Sequence, residues 1–259
     1  MRTHSLAFAM MLCAPLLGGA EGEGCGGPAF NMDPAPDMSG DWAVSYEDDL
    51  QVEITLGGAV YDAVLGAAGG IVEIEHEGQP LMFDLDCAND AVVCPSEVWA
   101  TEVSVRQDDP TYPRRVWLQV PQQSCNGTLV DPDPEMCGAG TVNESCDQVC
   151  DGEIVTTTAE AFGTINNPAD EFTFLLGAGV ASNGINCVLL GGSIARGDLV
   201  NSGSAESMDW RVESTDGQVI TEYGGGCLWA GDPDMDGELE ALVLGAKVRF
   251  STSFSADRR

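Results

Sequence analysis

Residues 231–246 read GDPDMDGELEALVLGA and place Asp232, Asp234, Asp236 and Glu240 within nine residues. Mutual repulsion of these carboxylates is unfavourable unless water or a cation compensates their charge. Three oxygen-bearing side chains at alternate positions, with a glycine at position six, form a pattern in which the chain curls around a hard cation. The spacing therefore predicts a Ca²⁺ site. The alternative is an acidic, solvated hairpin loop without a bound ion.

A complete EF-hand loop is excluded, because Val243 occupies the twelfth position, where a carboxylate is required. The shorter pattern D-x-D-x-D-G-x-x-E, followed by ALVLGA, resembles the calcium loop of integrin-type FG-GAP repeats. The resemblance implies side-chain oxygens from Asp232, Asp234, Asp236 and Glu240, and a backbone carbonyl from Glu238. Glu240 departs from the aspartate usual in that family. The motif occurs once and covers about sixteen residues, so we expect a structural calcium clip rather than a propeller.

The first forty residues indicate export. Residues 1–20, MRTHSLAFAMMLCAPLLGGA, combine a short basic start, a short apolar stretch and a small-residue end, which predicts a secretory signal peptide. Residues 21–40 are rich in Gly, Pro and Asp and are expected to form a flexible linker. Cys25 in this linker resembles the lipid-modified first residue of bacterial lipoproteins, although GEG precedes it. The alternative is cleavage after Ala20 and a free secreted protein.

Eight further cysteines follow the linker, and an even number in an exported chain predicts four disulfides. They are Cys87, Cys94, Cys125, Cys137, Cys146, Cys150, Cys187 and Cys227. We expect Cys87 to pair with Cys94, and Cys187 with Cys227 across a sheet. Residues 124–152 carry the other four and predict a disulfide-tied insertion whose connectivity stays open. Zinc is disfavoured, because this stretch contains no histidine.

The charge of the exported chain restricts its partners. Without the signal peptide, nine basic residues face 42 acidic ones, a formal net charge of −33. Such a field repels phosphate backbones and anionic headgroups, so we expect no nucleic-acid binding. No later stretch is long and apolar enough for a transmembrane helix. The expected location is extracellular or in the cell envelope, including a lipid-anchored form at the outer membrane.

The remaining chain predicts an all-β fold. In LQVEITL (50–56), apolar and polar residues alternate, which is typical of a half-buried strand. Similar segments recur every ten to twelve residues, a spacing typical of an antiparallel β-barrel or β-sandwich. Asp216-Gly217 predicts a two-residue hairpin turn. We therefore expect one all-β domain over residues 41–259, and GDWAVSY (40–46) resembles the start of lipocalin-like barrels.

No residue pattern predicts catalysis. The exported chain has one histidine, His76, and no serine lies in a nucleophile elbow. His76 shares a face with Val72 and Ile74, and we expect it to end a strand with a local partner. The sequence thus favours a non-catalytic protein, stabilised by disulfides and calcium, that binds an unknown small molecule or protein. A secreted hydrolase that uses carboxylates is the alternative.

Overall fold

The computed structural model describes seven stretches of the chain. They are residues 28–76, 78–85, 99–130, 149–183, 187–207, 209–229 and 241–259. Within these stretches the only helix is the short 3-10 turn Pro28–Phe30. None of the described helical residues belongs to a helix long and apolar enough to cross a membrane.

Fourteen strands make up the described fold, which confirms the all-β prediction. Their bounds are β1 Gly40–Tyr46, β2 Asp49–Leu56, β3 Ala59–Gly66, β4 Ile71–His76, β5 Gln79–Asp84, β6 Glu102–Arg106 and β7 Arg115–Asn126. The second half comprises β8 Leu129–Val130, β9 Val149–Cys150, β10 Glu153–Ile165, β11 Glu171–Asn183, β12 Cys187–Ser202, β13 Arg211–Trp229 and β14 Ala241–Arg258.

Eight of these strands close an antiparallel barrel in the order β1-β6-β7-β10-β11-β12-β13-β14. The closing contact joins β14 back to β1, with Trp42 opposite Arg258 and Tyr46 opposite Phe254. Strand β14 is long enough to pair with β2 as well, through residues 247–251. Strands β1 and β2 therefore both pair with β14, at different parts of its length. Of the two predicted architectures, the barrel is correct.

The predicted alternation on β2 is confirmed. Leu50, Val52, Ile54 and Leu56 are each at most 2% exposed. They pack with the β4–β5 hairpin and the inner face of β13 and β14 in a first apolar core. A tight turn at Gly57 and Gly58 joins β2 to β3, and both glycines have positive φ. This is the backbone that a two-residue hairpin favours.

A second apolar core fills one end of the barrel and includes Trp42, Val116, Ile165 and Phe172. Residues before β1 cover this end: Pro36 is fully buried and Met38 is 3% exposed. This packing differs from the flexible linker that the sequence predicts for residues 21–40. The residues of that linker before Pro28 lie outside the described part.

Arg114 holds this covering segment in place. It is 3% exposed, and its guanidinium donates to the backbone carbonyls of Asp33, Pro34 and Asn166. Burial lowers the pKa of Arg114, while the nearby charge of Asp33 opposes that effect. The buried guanidinium is thus satisfied mainly by carbonyl oxygens. We call this end of the barrel, covered by residues 33–39, the closed end.

The predicted turn at Asp216-Gly217 is wrong, because β13 runs straight through it. Gly217 lies opposite Phe254 on β14 and Gly197 on β12. A Cβ atom built on Gly217 would lie 2.8 Å from Phe254 Cζ. The glycine therefore accommodates an aromatic ring from the neighbouring strand instead of making a turn.

The same pairing of an aromatic residue with a cross-strand glycine recurs. The other three pairs are Gly163 with Phe174, Gly197 with Phe172 and Gly191 with Tyr223. Glycines at such positions let a sheet bend sharply, and the rings cover the exposed backbone. These four pairs line the inner face of β10 to β14. The glycines leave room for these large rings inside the closed barrel.

The two described ends of the predicted cysteine-rich insertion extend a long hairpin. Strands β7 and β10 pair from Arg115 to Asn126, so the ladder continues further into residues 124–152 than expected. Beyond it, Leu129 pairs with Cys150. Cys125 and Cys150 are joined as a disulfide with their Cα atoms 5.5 Å apart. Cys137 and Cys146 lie outside the described residues.

Candidate functional site

The barrel contains a cavity of about 330 Å³ that residues of the second core line in part. All eight strands of the barrel contribute residues to its wall, and most of the lining side chains are apolar. Deep members are Trp42, Val105, Phe172 and Phe174, all at most 5% exposed. At the other end of the lining, Pro121 and Gln122 are exposed. The cavity therefore runs from the closed end towards solvent.

The wall of the cavity carries a continuous series of aromatic rings. The Phe172 and Phe174 centroids lie 5.4 Å apart, and Phe172 and Phe254 lie 6.4 Å apart. Phe254 is in turn 6.1 Å from Tyr46, whose ring stacks on Trp99. Rings at these separations and offsets attract one another and present large flat apolar surfaces. The wall therefore suits an apolar molecule, especially one with planar groups.

Tyr46 links β1 to the segment that enters the cavity before β6. Its hydroxyl donates to the carbonyl of Ala100 at 3.1 Å. Burial raises the pKa of Tyr46 to about 12, so the hydroxyl stays neutral at physiological pH. Its ring lies 5.1 Å from that of Trp99 with the planes 7° apart. Together, the hydrogen bond and the stack fix the position of Trp99 in the wall.

One polar atom of the wall has no partner. Trp99 Nε1 is buried, and no acceptor lies within hydrogen-bonding distance of it in the part of the chain that the structure describes. The indole of Trp42 differs, because its Nε1 donates to the carbonyl of Met38 at 3.1 Å. Buried donors in proteins are nearly always paired. The indole nitrogen of Trp99 is therefore a buried donor that the described residues leave unpaired.

Charged groups are scarce along the cavity. Glu160 is the one acidic residue of the lining, and its exposed side chain points to the outer face of the barrel, because those of its neighbours Ala159 and Ala161 face the interior. Its carboxylate accepts hydrogen bonds from Gln119 and Arg106. The hydrogen bond from Gln119 and the nearby guanidinium outweigh desolvation and hold the pKa of Glu160 below its usual range. The lining thus offers no cation to an anionic ligand.

His76 has the local partner that the sequence predicts. It ends β4, and its Nδ1 lies 2.9 Å from the hydroxyl of Tyr61. Val72 is buried and Ile74 half-buried on the same face. His76 therefore belongs to the β2–β5 side of the molecule and is not among the residues that line the cavity.

The predicted calcium loop falls outside the described residues, as do all five of its candidate ligands. They are Asp232, Asp234, Asp236, Glu238 and Glu240. The strands on either side pair with each other, and Trp229 lies opposite Ala241. The acidic segment thus connects two hairpin strands. In the described stretches, no three His, Cys, Asp or Glu side chains form a group that could hold a metal ion.

The other predictions for cysteines concern two disulfides and a lipid anchor. Cys187 and Cys227 are directly opposite each other on β12 and β13, so their pairing remains a prediction with a suitable backbone register. Cys87 and Cys94, and the proposed lipid anchor Cys25, lie outside the described residues. The Cys125–Cys150 bridge is formed in the structure.

The resemblance of residues 40–46 to the start of lipocalin-like barrels implies an apolar cavity, but sequence reasoning did not identify the residues that line it. The sequence contains five tryptophans, and spacing along the chain does not distinguish those that line a cavity from those packed in a core. Tyr46 and Trp99 are 53 positions apart in the sequence. The pairing of β1 with β6, the strand that follows Trp99, brings the two parts of the chain together. The alternation in DWAVSY indicates that Trp42, Val44 and Tyr46 share a face, but it does not identify what that face contacts.

A comparison of the chain with protein-family models, curated proteins and solved structures finds no match in any of the three. The functional argument therefore depends on the geometry of the cavity itself.

Proposed function

We propose that this chain is an exported, non-catalytic binding protein that takes up a small apolar ligand in its barrel. The observation that carries the proposal is the cavity of about 330 Å³ with its aromatic wall. Ligand sites in proteins are concave, mostly apolar and equipped with a few placed polar groups. A closed barrel that holds one small ligand is a known use of eight strands.

The cavity departs from a filled core in a way that favours ligand binding. Protein interiors are packed as densely as organic crystals, and voids larger than a water molecule are few. In the second core, Val116 and Ile165 are fully buried. Towards the other end of the lining, Leu118, Val120 and Ala161 are only half-buried. The apolar surface is therefore left open on one side of a well-packed core.

Export, disulfides and calcium remain parts of the proposal. The Cys125–Cys150 bridge supports an oxidising location, because such bonds are rare in reducing compartments. The position of the acidic segment between the paired strands β13 and β14 is compatible with a clip that fixes the hairpin. Calcium there would be structural.

The alternative of a carboxylate-dependent hydrolase has less support. Glu160, the one acidic residue of the lining, has its carboxylate on the outer face of the barrel, where it pairs with Arg106 and Gln119. Asp198 and Asp216 lie opposite each other on β12 and β13, and both are exposed. Like charges directly opposite each other are destabilising, and neither residue is among those that line the cavity.

Binding of a neutral fluorescent probe, N-phenyl-1-naphthylamine, tests the proposal. We expect saturable fluorescence enhancement with wild-type protein at a stoichiometry of one. Ala161→Phe adds a ring to the lining and should weaken binding about tenfold or more, because overfilling a cavity displaces its ligand. Ala43→Phe is the matched control, since Ala43 lies on β1 between two residues that line the cavity but is not one of them.

The proposal is wrong if folded wild-type protein shows no saturable enhancement. It is also wrong if Ala161→Phe and Ala43→Phe bind the probe equally well while both retain wild-type circular dichroism. In the first case the apolar wall binds nothing of this class. In the second case the probe binds elsewhere on the surface.

A further inference from the structure

Strand β3 forms an open edge of the sheet that comprises the barrel, β2 and β3. It pairs with β2 on one side, and none of the described strands pairs with its other side. Each of the other nine strands of this sheet has a neighbour on both sides. A strand edge presents unpaired N–H and C=O groups that can pair with a strand from another chain. Strand β3 is therefore the place in the described sheet where a further strand can be added.

The turn between β2 and β3 determines which residues of β3 face this edge. It contains two residues, and Leu56 lies opposite Ala59 on either side of it. The residues that flank such a turn are hydrogen-bonded to each other, and bonded and non-bonded pairs then alternate along the ladder. Val60, Asp62 and Val64 fall in the non-bonded pairs, so their N–H and C=O groups point to the open edge. Their side chains are also exposed, Val60 by 55% and Val64 by 59%.

A row of charged side chains crosses the outer face of the sheet and ends at this edge. Glu222 on β13 lies opposite Arg249 on β14. Arg249 lies opposite Glu53 on β2, and Glu53 lies opposite Asp62 on β3. The signs alternate until the last two members, which are both acidic, and no ion pair of the described residues includes either of them. A lysine or arginine beyond Asp62 would continue the alternation and compensate this like-charge pair.

The neighbours of Asp62 on β3 specify the added segment further. Val60 and Val64 lie two residues away on either side, on the same exposed face. A strand that pairs with all three would carry an apolar, a cationic and a second apolar residue at alternate positions. A second copy of β3 does not fit, because antiparallel pairing centred on Asp62 would bring two aspartates opposite each other.

We propose that β3 binds an extended segment of a partner protein by antiparallel strand addition, and that this segment has the pattern apolar-x-Lys/Arg-x-apolar. Backbone hydrogen bonds to Val60, Asp62 and Val64 supply affinity, and the cation opposite Asp62 supplies specificity. None of these three residues lines the cavity, so this interface is independent of the proposed uptake of a small ligand.

A short synthetic peptide tests this interface. The probe is fluorescein-labelled, amidated Thr-Val-Thr-Lys-Thr-Val-Thr, and its binding is measured by fluorescence anisotropy. We expect saturable binding to wild-type protein, and binding at least about fivefold weaker when glutamate replaces the lysine. Methylation of the lysine backbone nitrogen should weaken binding about tenfold, because that N–H donates to the Asp62 carbonyl. Methylation of the next threonine nitrogen should change affinity by less than about twofold, because that N–H points away from β3.

Asp62→Lys should reverse the preference, so that the glutamate peptide binds more tightly than the lysine peptide. Asp198→Lys is the matched control, because it changes the net charge equally. Asp198 is also exposed and lies opposite an aspartate, but its strand β12 has neighbours on both sides. The control should retain the preference for the lysine peptide. In unbound wild-type protein, amide hydrogen exchange should be fast at Val60, Asp62 and Val64, and the lysine peptide should slow it.

Three results would overturn the proposal. Folded wild-type protein may bind neither peptide or both equally, in which case β3 does not select this pattern. If Asp198→Lys reverses the preference as fully as Asp62→Lys, the net charge of the chain decides binding and the charged row does not. If the three amides are already protected in unbound protein, the edge is occupied, and sedimentation as a dimer would identify a second copy as the occupant.

Discussion

The phenol ring of Tyr46 lies parallel to the indole of Trp99, with centroids 5.1 Å apart and the planes 7° from each other. One ring belongs to β1 and the other to the segment before β6. The stack joins the barrel wall to that segment, and both residues line the cavity. It also connects the only buried, unpartnered side-chain donor of the described residues to the series of rings that continues to Phe174.

Alkaline pH should destabilise the protein through Tyr46. The pKa of Tyr46 is about 12 in the folded protein, whereas an unfolded tyrosine ionises near about 10. The stabilisation is therefore fully present below the unfolded pKa and is lost as the pH rises from about 10 to 12. Urea unfolding at pH 9 and pH 11 should show a smaller decline for Tyr46→Phe than for wild type. An equal decline in both proteins would contradict the assignment.

Gly217→Ala should destabilise the barrel by about 1–3 kcal/mol, the usual effect of overpacking. A Cβ atom at this position would contact the Arg196 carbonyl and lie 2.8 Å from Phe254 Cζ. Gly177→Ala is the matched control, because a Cβ atom there meets nothing within 4 Å. Denaturant midpoints measure both changes. Equal effects would show that the ring of Phe254 does not require a glycine opposite it.

Arg114→Met should be strongly destabilising, by about 3 kcal/mol or more. The substitution leaves the carbonyls of Asp33, Pro34 and Asn166 without their donor at the closed end, and each unsatisfied buried group costs about 1–3 kcal/mol. Arg211→Met should cost less than about 1 kcal/mol, because Arg211 and Glu213 form an exposed ion pair. Chemical denaturation of both variants tests the difference, and similar losses would argue against the role of Arg114.

Removal of the Cys125–Cys150 disulfide by a double substitution to serine should cost about 2–4 kcal/mol, since the bridge restricts the unfolded chain. Thermal melts of the variant and the wild type measure the loss. Peptide mapping under non-reducing conditions should find Cys125 linked to Cys150. The same map tests the predicted pairs Cys87–Cys94 and Cys187–Cys227. Free thiols at several of these positions would contradict the disulfide scheme.

Calcium should stabilise the protein if the acidic segment binds it. At a calcium concentration ten times the dissociation constant, the gain is about 1.4 kcal/mol. For a chain of this size that corresponds to a rise in Tm of about 3–6 °C. Melting curves with calcium and with chelator measure the shift, and Asp232→Asn with Asp234→Asn should abolish it. An unchanged Tm in wild type, with no heat of calcium binding, would remove the clip.

The sequence by itself determined the all-β class and which side chains of a strand share a face. Alternation over LQVEITL identified the buried face of β2, because side chains in a strand point to opposite sides in turn. The position of His76 on the face of Val72 and Ile74 followed from the same period. These features depend on neighbours along the chain, so a short stretch of residues suffices to predict them.

Only the tertiary structure determined how the barrel closes, where the cavity lies and why position 217 is a glycine. Closing the barrel pairs Tyr46 with Phe254, more than two hundred positions away, and no local pattern encodes that register. Asp216-Gly217 has the composition of a turn, but the glycine is required by Phe254 on the next strand. Likewise, the indole N–H of Trp99 is buried without an acceptor among the described residues only because the folded chain surrounds it. Each of these properties arises from contacts between strands distant in sequence, which local spacing does not determine.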